Sequence, residues 1–176
     1  MIKKTFLLLN IICLAILVNH QYYLFKWNEI EQDNDILATS RLQNLETHFR
    51  NDEKFLFSYF QKLNLIDFNF QEADIVIDRL LRTKASKDYF IMSGDLKLIL
   101  GDTACAISKY ETAINIIPLI QVPKYKIMKI YLDKKDTSNA IFWMHKILNT
   151  KVKVNSPVTD SIQSEVKLLF NKYKTI

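Results

Sequence analysis

Phe90-Ile91-Met92-Ser93-Gly94, followed by Gly101-Asp102, Ala106-Ile107-Ser108-Lys109-Tyr110, Ala113 and Pro118, contains both glycines of the 176-residue chain, seven positions apart. A glycine in the middle of a helix lets a second helix come close, and one just past a helix end takes the left-handed conformation that side chains resist. Two scarce residues at those two places, with small residues at Ala106 and Ala113 and a proline closing the stretch, predict a helix, a short turn and an antiparallel second helix.

The pattern resembles that of the tetratricopeptide repeat, with an aromatic, a glycine four residues on, a later Ala-x3-aromatic and a closing proline. A repeat should recur at a fixed period. Counting 34 residues on from Ala106 gives Ala140, and Tyr131 falls at the place of a first-helix tyrosine. Counting back 33 gives Ala73, with Phe57, Phe60, Ile77 and Leu80 at apolar places. The match has departures: Met128 and Gln61 stand for the glycine in the two degenerate outer copies, neither of which closes on proline, and in the central copy Lys97 stands for the tyrosine. The expected fold is all-α, with about three tetratricopeptide-like helix pairs at 53–64 and 70–83, 88–100 and 103–116, and 123–132 and 137–148. Thr103 and Thr137 are candidate caps of the second helices, and Pro123 suits a first helical turn.

Composition supports this. The chain is 49% apolar with only two glycines and three prolines, a makeup suited to helices rather than to a strand-and-turn fold or to disorder. Net charge is +5. It is uneven, with net −2 over 1–118 (13 basic, 15 acidic) and +7 over 119–176 (11 basic, 4 acidic). The excess is lysine without a glycine- or arginine-rich run, which suits solvated helix faces better than nucleic-acid binding.

Met1-Ile2-Lys3-Lys4 precedes an apolar stretch from Phe6 to Val18 that resumes as Tyr22-Tyr23-Leu24-Phe25. No Ala-x-Ala-like cleavage site follows it. Phe6 to Phe25 matches the ~20 residues that span hydrocarbon, with Tyr22, Tyr23 and Trp27 as an aromatic belt. The favoured reading is an uncleaved signal anchor over 1–27 in a bacterial inner membrane, with Lys3 and Lys4 inside and the repeats facing the periplasm. A cleaved signal peptide on a secreted or periplasmic protein is the alternative, and a lipid-modified Cys13 fits poorly after Ile11-Ile12. A repeat domain over 28–150 then opens with a helix over 29–49. Over 151–176 an extended stretch leads into a helix announced by Ser156-Pro157 and Asp160, whose stripe Val158, Ile162, Val166, Leu169 and Phe170 caps the last repeat.

The stretch Pro123-Lys124-Tyr125, Ile130-Tyr131, Asn139-Ala140-Ile141, Ile147-Leu148-Asn149, Lys151 to Val154 and Ser156-Pro157 resembles the C-terminal extramembrane repeat segment of bacteroidete O-antigen ligase or polymerase-like proteins. There a last transmembrane helix leads into tetratricopeptide repeats. The resemblance implies an accessory, outward-facing repeat domain tethered to the envelope. Glycan transfer itself is not carried over, because the multi-helix membrane body of those proteins has no counterpart in this chain.

Chemistry is sparse. His20, His48 and His145 are far apart in sequence and show no metal-ligand spacing. Cys13 and Cys105 suit no intrachain disulfide, and two glycines cannot make a phosphate loop. Acid pairs such as Asp33/Asp35 and Asp52/Glu53 read as solvated surface. Phe142 and Trp143 are neighbours on one helix, of which one should face the core. No catalytic, metal or cofactor site is expected, and the chain reads as a binding array rather than an enzyme. Its candidate partner-binding residues are Tyr89, Lys97, Lys124 and Lys129, on the concave face that first helices form. They suit a protein partner in the envelope, with some preference for an acidic one.

Overall fold

The computed structural model describes residues 2–32, 37–151 and 156–174. The described residues form nine helices and no strand: α1 Ile2–Gln32, α2 Leu37–Leu45, α3 Glu53–Leu65, α4 Phe70–Thr83, α5 Lys87–Ile99, α6 Thr103–Ile116, α7 Val122–Asp133, α8 Thr137–Leu148 and α9 Pro157–Lys174. The chain divides into two compact units, Met1–Val76 and Ile77–Ile176, and the boundary falls within α4. From α3 onward, helix limits lie within about a turn of those expected from the repeat period. At the start they differ. α1 runs past Trp27 without a break to Gln32, and α2 takes only the middle of the expected 29–49 helix. The extended stretch expected from Val152 lies at 152–155, outside the described residues, as do Asp33 and Asp35.

In the first unit, aromatic packing joins α1, α2 and α3. Phe49 stacks on Phe55 with centroids 5.2 Å apart, and Trp27 approaches both at 5.3 and 5.6 Å. Ile30, Leu42 and Leu45 close the core around them. Trp27 is therefore a core residue, 8% exposed, and not part of an aromatic belt. Its position one helical face away from Tyr22 and Phe25, both more than half exposed, explains why a run of aromatics in sequence divides between two environments.

In the second unit, α5 pairs with α6, α7 with α8, and α9 packs on both α7 and α8. One core holds Ala106, Tyr110, Ile127, Met128, Ala140, Trp143, Met144, Ile147, Ile162 and Val166. Tyr131 is half-buried against it. Of the neighbours Phe142 and Trp143, the tryptophan is the core residue and the phenylalanine is half exposed. Burying α9 through Ile162 and Val166 covers the apolar end of the α7–α8 pair, as a solenoid's last repeat requires. Val158, expected in the same stripe, is 57% exposed.

The turns repeat with the helices. Phe68, Gly101 and Lys135 have φ of 52, 81 and 58° and lie 33 and 34 residues apart. After α5 and α7 the turn is a Schellman closure, with the Asp102 N–H donating to the Lys97 carbonyl at 2.8 Å and the Asp136 N–H to the Tyr131 carbonyl at 2.9 Å. The next residue caps the second helix. Asn69, Asp102 and Asp136 accept from the backbone N–H of Glu72, Cys105 and Asn139 at 3.2, 3.0 and 3.1 Å. Thr103 and Thr137 are thus the first helical residues and not the caps, because each aspartate one position earlier already meets the free N–H groups. Hydrogen bonding to Asn139 also holds the Asp136 carboxyl below the usual carboxylate range. At α9 the cap is the expected one: Ser156 Oγ accepts from the Thr159 N–H at 3.2 Å, and Thr159 Oγ1 accepts from the Ser156 N–H at 2.9 Å.

Candidate partner-binding surface

Gly94 sets the α5–α6 crossing. The ring of Tyr110 lies against it: a Cβ at position 94 would lie 2.5 Å from Tyr110 Cε1 and 2.8 Å from Cδ1. Tyr110 is fully buried, and its hydroxyl donates to Asp95 Oδ1 at 2.5 Å. Burial and this neighbouring carboxylate both push the phenol pKa upward. The same Asp95 oxygen takes Lys126 Nζ of α7 at 2.8 Å. One carboxylate therefore fixes α5, α6 and α7 together.

A similar connection ties α7 to α9. The Tyr125 hydroxyl donates to Glu165 Oε2 at 2.7 Å, and Lys129 Nζ lies 3.8 Å from Glu165 Oε1. Between the N-terminal turns of these two helices opens a cleft of about 510 Å³. Val122, Pro157, Val158 and Ile162 give it apolar walls, and Tyr125, Lys126 and Glu165 supply polar groups. The exposed Val158 is a wall of this cleft. No expectation from sequence pointed to it, because its two sides lie some 35 residues apart and share no motif.

Burial, the Glu165 hydrogen bond and the Glu165 charge, in that order, push Tyr125 up to about 12. An unfolded tyrosine loses its proton near 10.0. The stabilisation from this contact is accordingly complete below pH 10 and lost as pH rises from about 10 to about 12. Thermal melts of Tyr125→Phe should start lower at neutral pH and fall less steeply than the parent's above pH 10; parallel pH profiles would show that Tyr125 keeps no such bond.

The four expected partner-binding residues lie on α5 and α7, in different surroundings. Tyr89 and Lys97 are half-buried on α5, and Lys129 is exposed on α7 beside Glu165. Lys124 does not present its charge. It is 6% exposed, and its ammonium donates to the Pro118 carbonyl and to Thr150 Oγ1, both at 2.7 Å. Its pKa is lowered, by burial first and by Lys146 second. The lysine is needed inside because the chain between α6 and α7 leaves the Pro118 carbonyl without a helical partner. Among the repeat-signature residues, Gly94, Ala106, Tyr110, Ala113 and Ala140 are buried, Phe90 is half-buried, and Gly101 and Pro118 are exposed in turns.

Two side chains expected apart meet in the first unit. His20 Nδ1 and His48 Nε2 are 3.1 Å apart, and the Tyr23 ring lies 4.1 Å from that of His48. A separation of 28 residues with no shared motif left no signal for this pair. Among the described residues no group of three or more potential metal ligands forms, and both cysteines are free.

No protein-family model and no curated protein matches the sequence. Solved structures do match in fold. "Crystal structure of MamA protein" aligns with a TM-score of 0.62 at 14% identity, over 89% of this chain and 86% of the other. A second structure, "Crystal structure of MamA", gives 0.56 at 14% identity over 78% and 85%, and "MamA RS-1 ArsTM double mutant" gives 0.53 at 18% over 79% and 86%. At these identities the likeness is one of fold, and with the helix pairs, turns and period described above it shows that the chain has the tetratricopeptide-like helical-repeat fold.

Proposed function

We propose that the protein is a membrane-tethered interaction domain whose second unit binds a partner protein along α5, α7 and α9. The observation that carries the reading is the cleft between α7 and α9: apolar walls flanked by a lysine and a glutamate suit a partner segment with one apolar side chain and mixed polar flanks. Tyr89, Lys97 and Lys129 extend the surface beyond the cleft. The tether is α1, whose residues Leu8 to Val18 include Leu8, Leu9, Ile11, Leu14, Ile16, Leu17 and Val18, each more than half exposed. So much bare apolar helix needs a bilayer or a partner to cover it. The window Leu8–Glu31 is long and apolar enough to cross a membrane, a property it shares with signal sequences. Lys3 and Lys4 favour an inside N-terminal flank and a periplasmic repeat domain.

The test combines Val158→Trp, which fills the cleft, with Lys97→Glu and Lys129→Glu, which reverse exposed or half-exposed charges. Each variant should keep the parent's helical signal, since exposed lysines contribute little to stability, and should lose crosslinks to envelope proteins that the parent forms. Lys124 is left unchanged because reversing it would bury a carboxylate against the Pro118 carbonyl. Folded variants that keep every crosslink would defeat binding along this face.

The stretch from Pro123 to Pro157 that resembles the ligase-like proteins favours a second reading, an accessory subunit of a glycan-assembling membrane system. A crosslinked partner that is itself a multi-spanning glycan ligase or polymerase would select it. A mature N-terminus near His20 would instead make the protein a secreted soluble repeat domain.

A further inference from the structure

The point at which α1 joins the folded first unit is set by His20, Tyr23, Trp27 and Ile30, which share one helix face at spacings of 3, 4 and 3. The turn after α2 runs along that face. His48 meets His20 and Tyr23, and Phe49 meets His20 at 5.9 Å and Trp27 at 5.3 Å. The folded unit thus begins at the level of His20, and α1 is one continuous helix through that level with no linker to hold the unit away from whatever covers the apolar part.

Length then places the unit. Between Lys4 and His20 lie 15 residues, roughly 22 Å of helix at 1.5 Å per residue, whereas hydrocarbon is about 30 Å thick. Closing the difference takes up to about five more residues, which places the edge of the span between His20 and Phe25, the stretch of α1 that the turn runs along. The exposed side of α1 agrees, since Tyr22 and Phe25 are 55% and 60% exposed on it while His20, Tyr23 and Trp27 turn toward the unit. Snorkelling by a lysine flank covers part of such a mismatch but gives no reason for two aromatic rings to stand in water.

We propose that the turn between α2 and α3, residues 46–51, is seated in the lipid headgroup layer, so that the first unit rests on the bilayer surface instead of standing off it. Its exposed side chains, Thr47, Arg50 and Asn51, are polar and suit headgroups rather than hydrocarbon. The occupant of this face is the bilayer itself. The proposal rests on the membrane-tether reading above.

The experiment uses the full chain in lipid nanodiscs of phosphatidylcholine and phosphatidylglycerol, with a nitroxide on one cysteine at a time. Thr47→Cys is labelled in a Cys13→Ala, Cys105→Ala background. Ser108→Cys in the same background serves as the aqueous reference, and native Cys13 with Cys105→Ala reports the tether. Collision with oxygen against a water-soluble nickel chelate gives depth. The expected result is a Cys13 label that oxygen reaches and nickel does not, and a Thr47 label with nickel access several-fold below that of Ser108. Nickel access at Thr47 equal to that at Ser108, with Cys13 still shielded, would overturn the seating and leave the tether standing. Nickel access at Cys13 equal to that at Ser108 would remove the tether, and the seating with it. Asn51→Cys, labelled in the same background, should follow Thr47 and guards against a local effect of one label.

Discussion

Gly94→Ala should destabilise the second unit by about 1–2 kcal/mol and Gly94→Leu by more than about 3 kcal/mol. Alanine in a helix interior is worth about 1 kcal/mol over glycine from propensity alone, so a net loss has to come from the crossing. It does so because the new Cβ would sit 2.5 Å from a carbon of Tyr110, which is fully buried and tied by its hydroxyl to Asp95. The ring cannot swing away without giving up that bond and its packing in the core, so α5 and α6 must separate. Thermal or urea unfolding measures the loss. In a double-mutant cycle with Tyr110→Leu the two effects should be less than additive, since the smaller side chain makes room. A Gly94→Ala protein as stable as the parent would mean that the crossing is looser than this geometry requires.

The second large effect belongs to α9. Val166 is fully buried in the core it shares with Trp143, Met144 and Ile147, while Leu168, two residues on, is 72% exposed. Val166→Asp should therefore cost about 3 kcal/mol or more, through an unpaired carboxylate forced into apolar surroundings. Leu168→Asp should stay within about 0.5 kcal/mol of the parent. Removing the helix by truncation after Thr150 should go further, exposing the faces of α7 and α8 and driving association in size-exclusion measurements. Equal melting of the two aspartate variants would show that α9 does not hold this register.

These contrasts mark how far sequence reasoning reaches in this chain. The helix pairs, the left-handed turn at Gly101 and the cap at Ser156 are legible because each rests on local chemistry that few residues satisfy. The two equivalent turns were not, since Phe68 and Lys135 take the left-handed conformation without being glycine, and only the period through Gly101 connects them. Lys124 shows the opposite failure. A lysine among lysines reads as solvated, and nothing local says that the Pro118 carbonyl and Thr150, 26 residues away, will surround it. The cleft between α7 and α9, the His20–His48 contact and the burial of Trp27 are likewise products of packing between distant segments. Tyr89, Lys97 and Lys129 enter the candidate surface from helix position alone, whereas the cleft between α7 and α9 left no signal in the sequence.

Helical repeats commonly melt piecemeal, since each touches only its neighbours and local stability varies along the stack. The second unit is wired differently. Asp95 spans three helices through Tyr110 and Lys126, Glu165 draws α9 onto α7 through Tyr125, and Gln163 of α9 donates to the Ile147 carbonyl at the end of α8. Coupling between neighbours then outweighs the separate stability of each pair, so α5 through α9 should open in one step, with amide protons across all five helices exchanging at a common rate while the rest of the chain exchanges on its own schedule.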